Sequence, residues 1–335
     1  MHKINFFFIF TLFLCCKSTI KRDSENFDEF PVKLEAKFDK VFSAPNNIVG
    51  LNIYEDSLLL IRNHKTYHHH FSLYNIGSKK KQGDVLGSGR AKNQSMGFIS
   101  NGLQNHLLWV NDIIKEKVIS MDLRDTSAIR QLPLQQFFYS VQVPDSDLIL
   151  ASGDYNSQFK LFKIDIKNGQ LIDSLFQYPS NLKKADKMDY ESFLFSDPSA
   201  NHAALASRYS DQIEFFDINK RKSKVISGPE NFVPELGRVK QGGFPISSRI
   251  AKTRYGFLGG KGKSKLVYLL FSGNNHNSKH EFYGNRIFVF NWQGNPIADI
   301  HLDRYIIDFD ISADGKTLYA VDGVKNEILK STINL

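Results

Sequence analysis

Residues 163–166 read KIDI and are followed by the turn sequence KNGQ, and this short arrangement recurs along the chain. It consists of two residues that are usually apolar, an Asp or Asn, one more apolar residue and a polar turn. The other copies are LYNI at 73–76, SMDL at 120–123, FFDI at 215–218 and VFNW at 289–292. An Asp or Asn in this position can accept a hydrogen bond from the backbone two residues on, so each copy predicts a strand that ends at a hairpin.

The spacing of these copies is typical of a β-propeller. The first four follow one another at intervals of about 40–50 residues, the length of four short strands and their turns. Each copy also follows a short apolar strand, as expected for a strand that is buried between neighbouring blades. These strands are predicted at 57–61, 106–110, 147–151, 202–206 and 266–271.

A sixth unit lies at the end of the chain. It begins at Ile307, turns at Asp314-Gly315 and contains a buried strand at 317–321, but no outermost strand follows. The alternating segment 35–42 can supply that strand by pairing outside residues 327–332, which leaves no open edge between the first and last blades. The prediction is an all-β, six-bladed β-propeller whose last blade is closed by an N-terminal strand. Residues 36–335 form the propeller, 16–35 a flexible tether and 1–15 a signal peptide.

Two insertions, at 228–248 and 273–284, lie in the longest interval between copies, and such loops often carry function. Basic and aromatic residues in or just after the first insertion suit a sugar or an acidic peptide, and a solvated loop is the alternative explanation. These candidate ligand-binding residues are Arg238, Lys240, Phe244, Arg249, Lys252 and Tyr255. Segment 256–264 (GFLGGKGKS) ends like a phosphate-binding loop, but Phe257 stands where the first glycine belongs, so we predict a hairpin turn.

Four oxygen-bearing side chains are candidates for a metal site in the central channel. Asp308 and Asp310 alternate onto one face of the innermost strand of unit six, and Asn52 and Glu191 lie on comparable strands. Oxygen ligands of this kind suit Ca²⁺. One interpretation is therefore a calcium-dependent hydrolase of the lactonase or esterase type. The other is the ordinary polar lining of a watery channel, with no cofactor and no catalytic residue.

The N-terminal residues are typical of an export signal. After Lys3, residues 4–16 (INFFFIFTLFLCC) are apolar but shorter than the roughly 20 residues that span a bilayer as a helix. The two cysteines of the chain close this run, as in the lipobox of a lipoprotein. Cys16 is the predicted lipidation site because the small Cys15 precedes it, and Cys15 is the alternative. The net charge of +8 is spread over the chain, and no recognition helix or zinc-finger spacing predicts nucleic-acid binding.

Together these features resemble the TolB-like six-bladed propeller lipoproteins of Bacteroidota. The most informative stretch is 266–303, where LVYLLFSG is followed by an insertion and then IFVFNWQGNPIADIHLD. A second similarity is the glycine-rich turn at 87–90, which reads GSGR where the family has a GRGP-like turn. The resemblance covers about residues 10–335 and implies a fold and a location, because the family has no established activity.

These observations favour a non-enzymatic binding or scaffolding lipoprotein of the cell envelope. We expect a monomer that is held on a membrane by its lipid and presents loops to a protein, peptide or glycan. Surface display in this class of bacteria resembles a rule that needs acidic residues just after the lipidated cysteine. No acidic residue occurs between Cys16 and Asp23, which favours the periplasmic face of the outer membrane over the cell surface.

Overall fold

The computed structural model describes residues 24–44, 47–64, 67–144, 147–242 and 244–335, with nothing described for the side chains of Ser24 and Phe244. The predicted signal peptide, including Cys15 and Cys16, lies outside these residues. Six sheets form the blades of a propeller around a central channel, which confirms the predicted fold. Within each blade the strands run antiparallel from the innermost to the outermost.

The strands of blades 1 to 3, from inside to outside, are as follows. Blade 1 contains Ile48–Tyr54, Leu58–Asn63, His69–Asn75 and Lys81–Ser88, with the short strand Gln94–Ser95 at its edge. Blade 2 contains Phe98–Gln104, Leu107–Asp112, Lys117–Asp122 and Asp125–Pro133. Blade 3 contains Ser140–Gln142, Leu148–Ser152, Phe159–Asp165 and Leu171–Gln177.

Blades 4 to 6 follow the same plan and recruit N-terminal strands. Blade 4 contains Ser192–Ser196, His202–Ser207, Gln212–Asp217 and Lys222–Ser227. Blade 5 contains Phe257–Gly262, Leu266–Phe271, Gly284–Asn291 and Pro296–Ile306. Blade 6 contains Asp308–Ile311, Thr317–Asp322 and Glu327–Thr332. A hairpin of Gly237–Gln241 and Phe244–Ser248 is inserted between blades 4 and 5, and a short helix, Lys184–Met188, precedes blade 4.

The recurring Asp or Asn acts as predicted at the end of the third strand. Asp165 Oδ1 accepts a hydrogen bond from the backbone N–H of Lys167 at 2.7 Å, and Asn291 Oδ1 accepts one from Gln293 at 3.0 Å. The predicted buried strands match the second strands of the blades to within about two residues at each end. In blade 5 Leu269 and Leu270, on opposite faces of the strand, are 0% and 1% exposed, because neighbouring blades cover both faces.

The N-terminal segment closes the ring and also adds strands to blades 4 and 5. Asp39–Ser43 pairs antiparallel with Glu327–Thr332, which confirms closure of the last blade by the two ends of the body. Ser24–Asn26 adds a parallel fifth strand to blade 4, and Val32–Ala36 adds one to blade 5. The prediction that residues up to 35 form a flexible tether is therefore wrong for 24–35.

Aromatic packing explains why this segment is ordered. The rings of Phe30 and Phe288 lie 4.8 Å apart, and those of Phe27 and Phe290 lie 5.9 Å apart. Phe30 is 3% exposed, so its docking removes a large apolar surface from water.

Residues 257–262 form the innermost strand of blade 5, so the predicted hairpin turn at 256–264 is wrong. The glycines there permit close approach between strands. A Cβ added to Gly260 would lie 2.3 Å from the backbone oxygen of Tyr268, and one added to Gly262 would lie 2.4 Å from that of Ser196. Only glycine fits at such distances. In the part of the chain that the structure describes, no helix has the length and apolar character needed to cross a membrane.

Candidate functional site

The two insertions and the short helix meet on one face of the propeller. Strands alternate in direction within a blade, so the loop before each innermost strand and the loop after each second strand emerge on the same side. We call this side the insertion face and define it by loops 153–158, 178–191, 208–211, 228–256 and 272–283. The loops of blades 3, 4 and 5 therefore converge there.

Hydrogen bonds and an ion pair connect these loops to one another. The backbone N–H of Tyr255 donates to the carbonyl of Asn274 at 2.9 Å, and that of His276 donates to Thr253 at 2.7 Å. Arg238, on the inserted hairpin, lies 2.5 Å from Asp189, beside the short helix. The two insertions and the helix thus form one continuous structure.

A cavity of about 400 Å³ opens between these loops and the edge of blade 4. Its lining combines amide, hydroxyl and carboxylate groups with two aromatic rings and an exposed valine. These residues are Asn26, Asp189, Tyr190, Ser210, Gln212, Ser227, Asn231, Phe232, Val233 and Pro234. Polar groups beside aromatic faces suit the hydroxyls of a sugar or the backbone of a peptide. Sequence reasoning did not single out these residues, because they come from five separate segments of the chain.

The basic and aromatic candidates of the first insertion do not form one cluster. The pKa of Arg238 is raised by its hydrogen bonds to Asp189, which together with Asp186 neutralises it. Arg249 donates to the hydroxyl of Tyr255 at 2.8 Å. Tyr255 is only 2% exposed and packs against Tyr209 and Phe282, so its ring supports the loops from within.

The remaining candidates of that set are two exposed lysines and Phe244. Lys240 and Lys252 are exposed, and neither makes an ion pair with any residue that the structure describes. The side chain of Phe244 lies outside the described atoms. Among these candidates, the positive charge that is not neutralised by a described carboxylate therefore resides on these two lysines and on Arg249.

The channel carboxylates fasten blade 6 to its neighbours. Asp308 Oδ2 accepts the backbone N–H of Leu51 at 3.0 Å, and Asp310 Oδ2 accepts that of Ile53 at 2.9 Å. Blade 5 supplies a lysine opposite each carboxylate. Lys263 lies 2.9 Å from Asp310, and Lys261 lies 3.9 Å from Asp308.

Ammonium groups thus stand where a metal would have to bind. Burial raises the pKa of Asp310, but Lys263, Lys261 and hydrogen bonds outweigh this effect and leave the pKa below its ordinary value. Asn52 Oδ1 accepts a hydrogen bond from Lys261 at 3.0 Å. Among the described residues there is no group of three or more His, Cys, Asp or Glu side chains that could hold a metal ion.

Glu191 lies apart from the other three metal candidates, in a polar cluster between blades 3 and 4. Its carboxylate lies 2.9 Å from Arg208. The Arg208 guanidinium lies over the rings of Phe193, at 4.9 Å, and Tyr139, at 5.9 Å. The cations Arg62, Arg208, Lys261 and Lys263 were missed by sequence reasoning. Lys261 and Lys263 alternate along the Gly-rich strand, and that spacing would have placed them in the channel had the strand been recognised.

The fold and this face define a six-bladed β-propeller with a channel and a built-up loop surface on one side. Residues 27–314 match the TolB-like 6-blade propeller-like family, and the chain belongs to that family. A search of curated proteins found no match.

Solved structures with a similar fold confirm the fold of this chain and nothing about its function. The chain is similar to U3-55K, with a TM-score of 0.54, 9% identity, and coverage of 88% of this chain and 98% of that one. It is similar to the RRP9 WD40 repeats, with a TM-score of 0.54, 10% identity, and coverage of 89% and 97%. It is also similar to the Myceliophteria thermophila Cps50 (Swd1) β-propeller domain, with a TM-score of 0.50, 12% identity, and coverage of 89% and 100%.

Proposed function

We propose that this chain is a non-enzymatic binding lipoprotein of the cell envelope, whose insertion face holds a protein, peptide or glycan partner. The observation that carries the proposal is the convergence of both long insertions and the helix on one face, beside the 400 Å³ cavity. The other loops of the blades are short turns, so the chain concentrates its additional surface at this one place.

The exposed apolar residues of the insertions support an interaction surface. Val233 is 73% exposed, Phe282 50%, Val239 47% and Ile250 41%. Large apolar side chains that stay in water on neighbouring loops mark places where a partner can cover them. Val233 lines the 400 Å³ cavity beside polar and aromatic groups, which fits a ligand with both polar and apolar groups.

The channel chemistry favours binding over catalysis. Asp308 and Asp310, the carboxylates that a calcium-dependent hydrolase would use, are occupied by Lys261, Lys263 and the backbone of blade 1. A carboxylate that is held in this way has little capacity left to coordinate a cation or to transfer a proton.

The anchor and location are proposed from the N-terminal sequence. Cys16 would carry the lipid, and several acyl chains on one residue give stable anchoring, because each buried methylene adds about 0.8 kcal/mol. The absence of acidic residues between Cys16 and Asp23 supports the periplasmic face of the outer membrane. The protein would act there as a monomer.

Site-specific photocrosslinking in intact cells tests the binding face. A photoreactive residue at Val233 should yield a discrete crosslinked product, whereas the same residue at exposed Ala313, in a turn on the opposite face, should not. Equal crosslinking at both positions, or none at Val233, would contradict the proposal.

Two further measurements test the anchor and its side. Changing both Cys15 and Cys16 to Ala should release the protein from the membrane fraction, and retention of the double variant would refute lipid anchoring. Protease added to unbroken cells should leave the wild-type protein intact, and its digestion would place the propeller on the cell surface.

A further inference from the structure

The central channel opens on the insertion face as a cavity of about 250 Å³. It shares no lining residue with the 400 Å³ cavity and is a separate place in the molecule. Three cationic side chains, Arg62, Arg208 and Lys261, line it against a single carboxylate, Asp308. The mouth of the channel is therefore positively charged.

Two of these cations have carboxylate partners. Arg208 lies 2.9 Å from Glu191. Lys261 lies 3.9 Å from Asp308 and donates to the backbone oxygen of Leu51 at 3.0 Å. Their charges are compensated within the protein, so they add hydrogen-bond donors to the cavity but little net field.

Arg62 differs from both. Among the described residues its guanidinium makes one hydrogen bond, from Nη2 to the carbonyl of Val49 at 2.7 Å, and no ion pair within 4.0 Å. Its Nε is buried and has no hydrogen-bond partner. Burial lowers the pKa of Arg62 and Asp308 opposes this shift, yet the group stays charged. Asp308 faces Arg62 from beyond 4.0 Å and also faces Lys261, so the channel mouth keeps one positive charge in excess. An anion in the cavity would balance that charge.

The rest of the cavity fits the anion that it would hold. The hydroxyls of Ser100 and Ser140 and the amide of Gln142 line its wall. Ile99 and Leu258 add apolar surface to the lining. A guanidinium matches the two oxygens of a carboxylate, and the apolar surface suits the carbon chain that carries it.

We propose that the channel mouth on the insertion face is a binding site for a carboxylate group, with Arg62 as the cation that receives it. Such a carboxylate belongs either to a free small acid or to an acidic side chain of a bound polypeptide. Both present the same planar anion to Arg62, and two probes distinguish them.

Titration calorimetry on the full chain in detergent tests the site, with succinate as one probe and the acetylated, amidated peptide Gly-Glu-Gly as the other. Saturable binding of at least one probe is expected below about 10 mM, the range of a few charge-assisted hydrogen bonds. Succinate alone would identify a small-acid site and the peptide alone a polypeptide carboxylate, and both results support the shared chemistry. Absence of saturable binding by either probe overturns the proposal.

Arg62→Met should weaken binding by about tenfold or more, because the guanidinium charge and its hydrogen-bond donors are lost. Lys263→Met is the matched control. This variant also removes one positive charge, but at the other end of the channel, where Asp310 already pairs with Lys263. It should change the affinity by less than about twofold. Equal affinity of wild type and a folded Arg62→Met variant would overturn the assignment.

Arg62 is only partly exposed and its Nε is buried, so a second pair of variants keeps the test decisive if Arg62→Met does not fold. Ile99→Glu places a competing carboxylate in the cavity without altering Arg62, and should weaken binding by about tenfold. Ile99→Gln has the same size without the charge and should retain binding. Equal affinities of these two variants would contradict a site that recognises negative charge.

Discussion

Blade 4 is held on its two sides by unlike interfaces. Toward blade 5 the contact is aromatic, because Phe215 of blade 4 lies 5.7 Å from Phe290 of blade 5. Both rings belong to one buried cluster with Phe271 and Phe288, which stack within blade 5 at 4.5 Å with an angle of 17° between rings. Toward blade 3 the contact includes an ion pair, in which Lys160 lies 2.6 Å from Glu214 with side chains 8% and 13% exposed. Blade 4 therefore packs against its neighbours through either aromatic rings or a buried ion pair whose two charges balance each other.

The two interfaces should contribute differently to the stability of the propeller. Aromatic packing gains free energy in proportion to the apolar area removed from water. A buried ion pair roughly offsets its own desolvation, so its removal as a unit costs little, while loss of one partner costs much. The blade 4–5 interface should thus contribute more stability. The blade 3–4 interface, where Lys160 and Glu214 line a small pocket, should be the more easily altered.

The largest expected effect comes from the aromatic interface. Phe288→Ala should lower the free energy of unfolding by about 3–5 kcal/mol, because Phe288 is 0% exposed and touches Phe30, Phe257 and Phe271. Urea denaturation followed by tryptophan fluorescence measures the loss. Phe282→Ala, at a 50% exposed ring, is the control and should stay within about 0.5 kcal/mol of wild type. Similar losses for both variants would refute the role given to this interface.

Breaking the ion pair from one side should cost somewhat less. Glu214→Ala leaves the Lys160 ammonium in a site where it is 8% exposed, without the carboxylate that balances it. We expect a loss of about 3 kcal/mol in the same denaturation assay. A change below about 1 kcal/mol would mean that Lys160 finds sufficient solvation elsewhere.

Replacing the pair as a unit should reverse most of that loss. The double variant Lys160→Met with Glu214→Leu should unfold within about 1 kcal/mol of wild type, or be more stable, because no charge remains buried. The coupling energy from the two single variants and the double variant is the decisive quantity. A double variant as unstable as Glu214→Ala would show that the pair is needed for packing.

The smallest expected effect concerns Asp211, where blade 4 meets the first insertion. Its Oδ2 accepts the backbone N–H groups of Glu230 and Asn231 at 2.9 and 2.6 Å, while Oδ1 is buried without a partner. Burial raises the pKa of Asp211 above its ordinary value, although those hydrogen bonds oppose the shift. Because the folded pKa is the higher one, the carboxyl favours folding most below the unfolded pKa of about 3.9, and this advantage is lost as pH rises through the folded value.

Asp211→Asn keeps the acceptor but cannot ionise. Relative to wild type it should gain a few tenths of a kcal/mol or more in unfolding free energy between about pH 4 and pH 7. Asp217→Asn should instead lose unfolding free energy relative to wild type as the pH rises over this range, since the hydrogen bond from Lys220 lowers the pKa of Asp217. A relative gain for Asp211→Asn that shrinks as the pH rises would contradict this account.

The sequence predicts the fold well because propeller geometry repeats. The terminal Asp or Asn of each third strand and the apolar second strands recur at blade length, so the register of residues such as Asp165 and Val267 can be derived from local pattern. The N-terminal strands of blades 4 and 5 were missed because their partners lie about 200 or more residues away. Residues 24–26 (SEN) contain no apolar residue, and the alternation of residues 32–36 (VKLEA) does not show which blade they join.

The candidate site is predicted only in part. The insertions mark the right loops, but charge pairing depends on neighbours that no local pattern reveals. Arg238 meets Asp189 across a gap of 49 residues, and Asp308 meets Leu51 across 257. Arg62 matters because of a partner that it lacks among the described residues, and the sequence alone gives no sign of this.

The N-terminal segment that spans blades 4, 5 and 6 has a consequence for the timing of folding. Its residues are made well before their partners, because Val32 pairs with Ala298 and Asp39 with Lys330. Contacts so distant along the chain close slowly. The ring therefore cannot be completed until blade 6 has been made, and until then the unpaired edges of these early strands remain open to other chains. A factor that shields this segment would raise the yield of native protein more than one that acts on the rest of the chain.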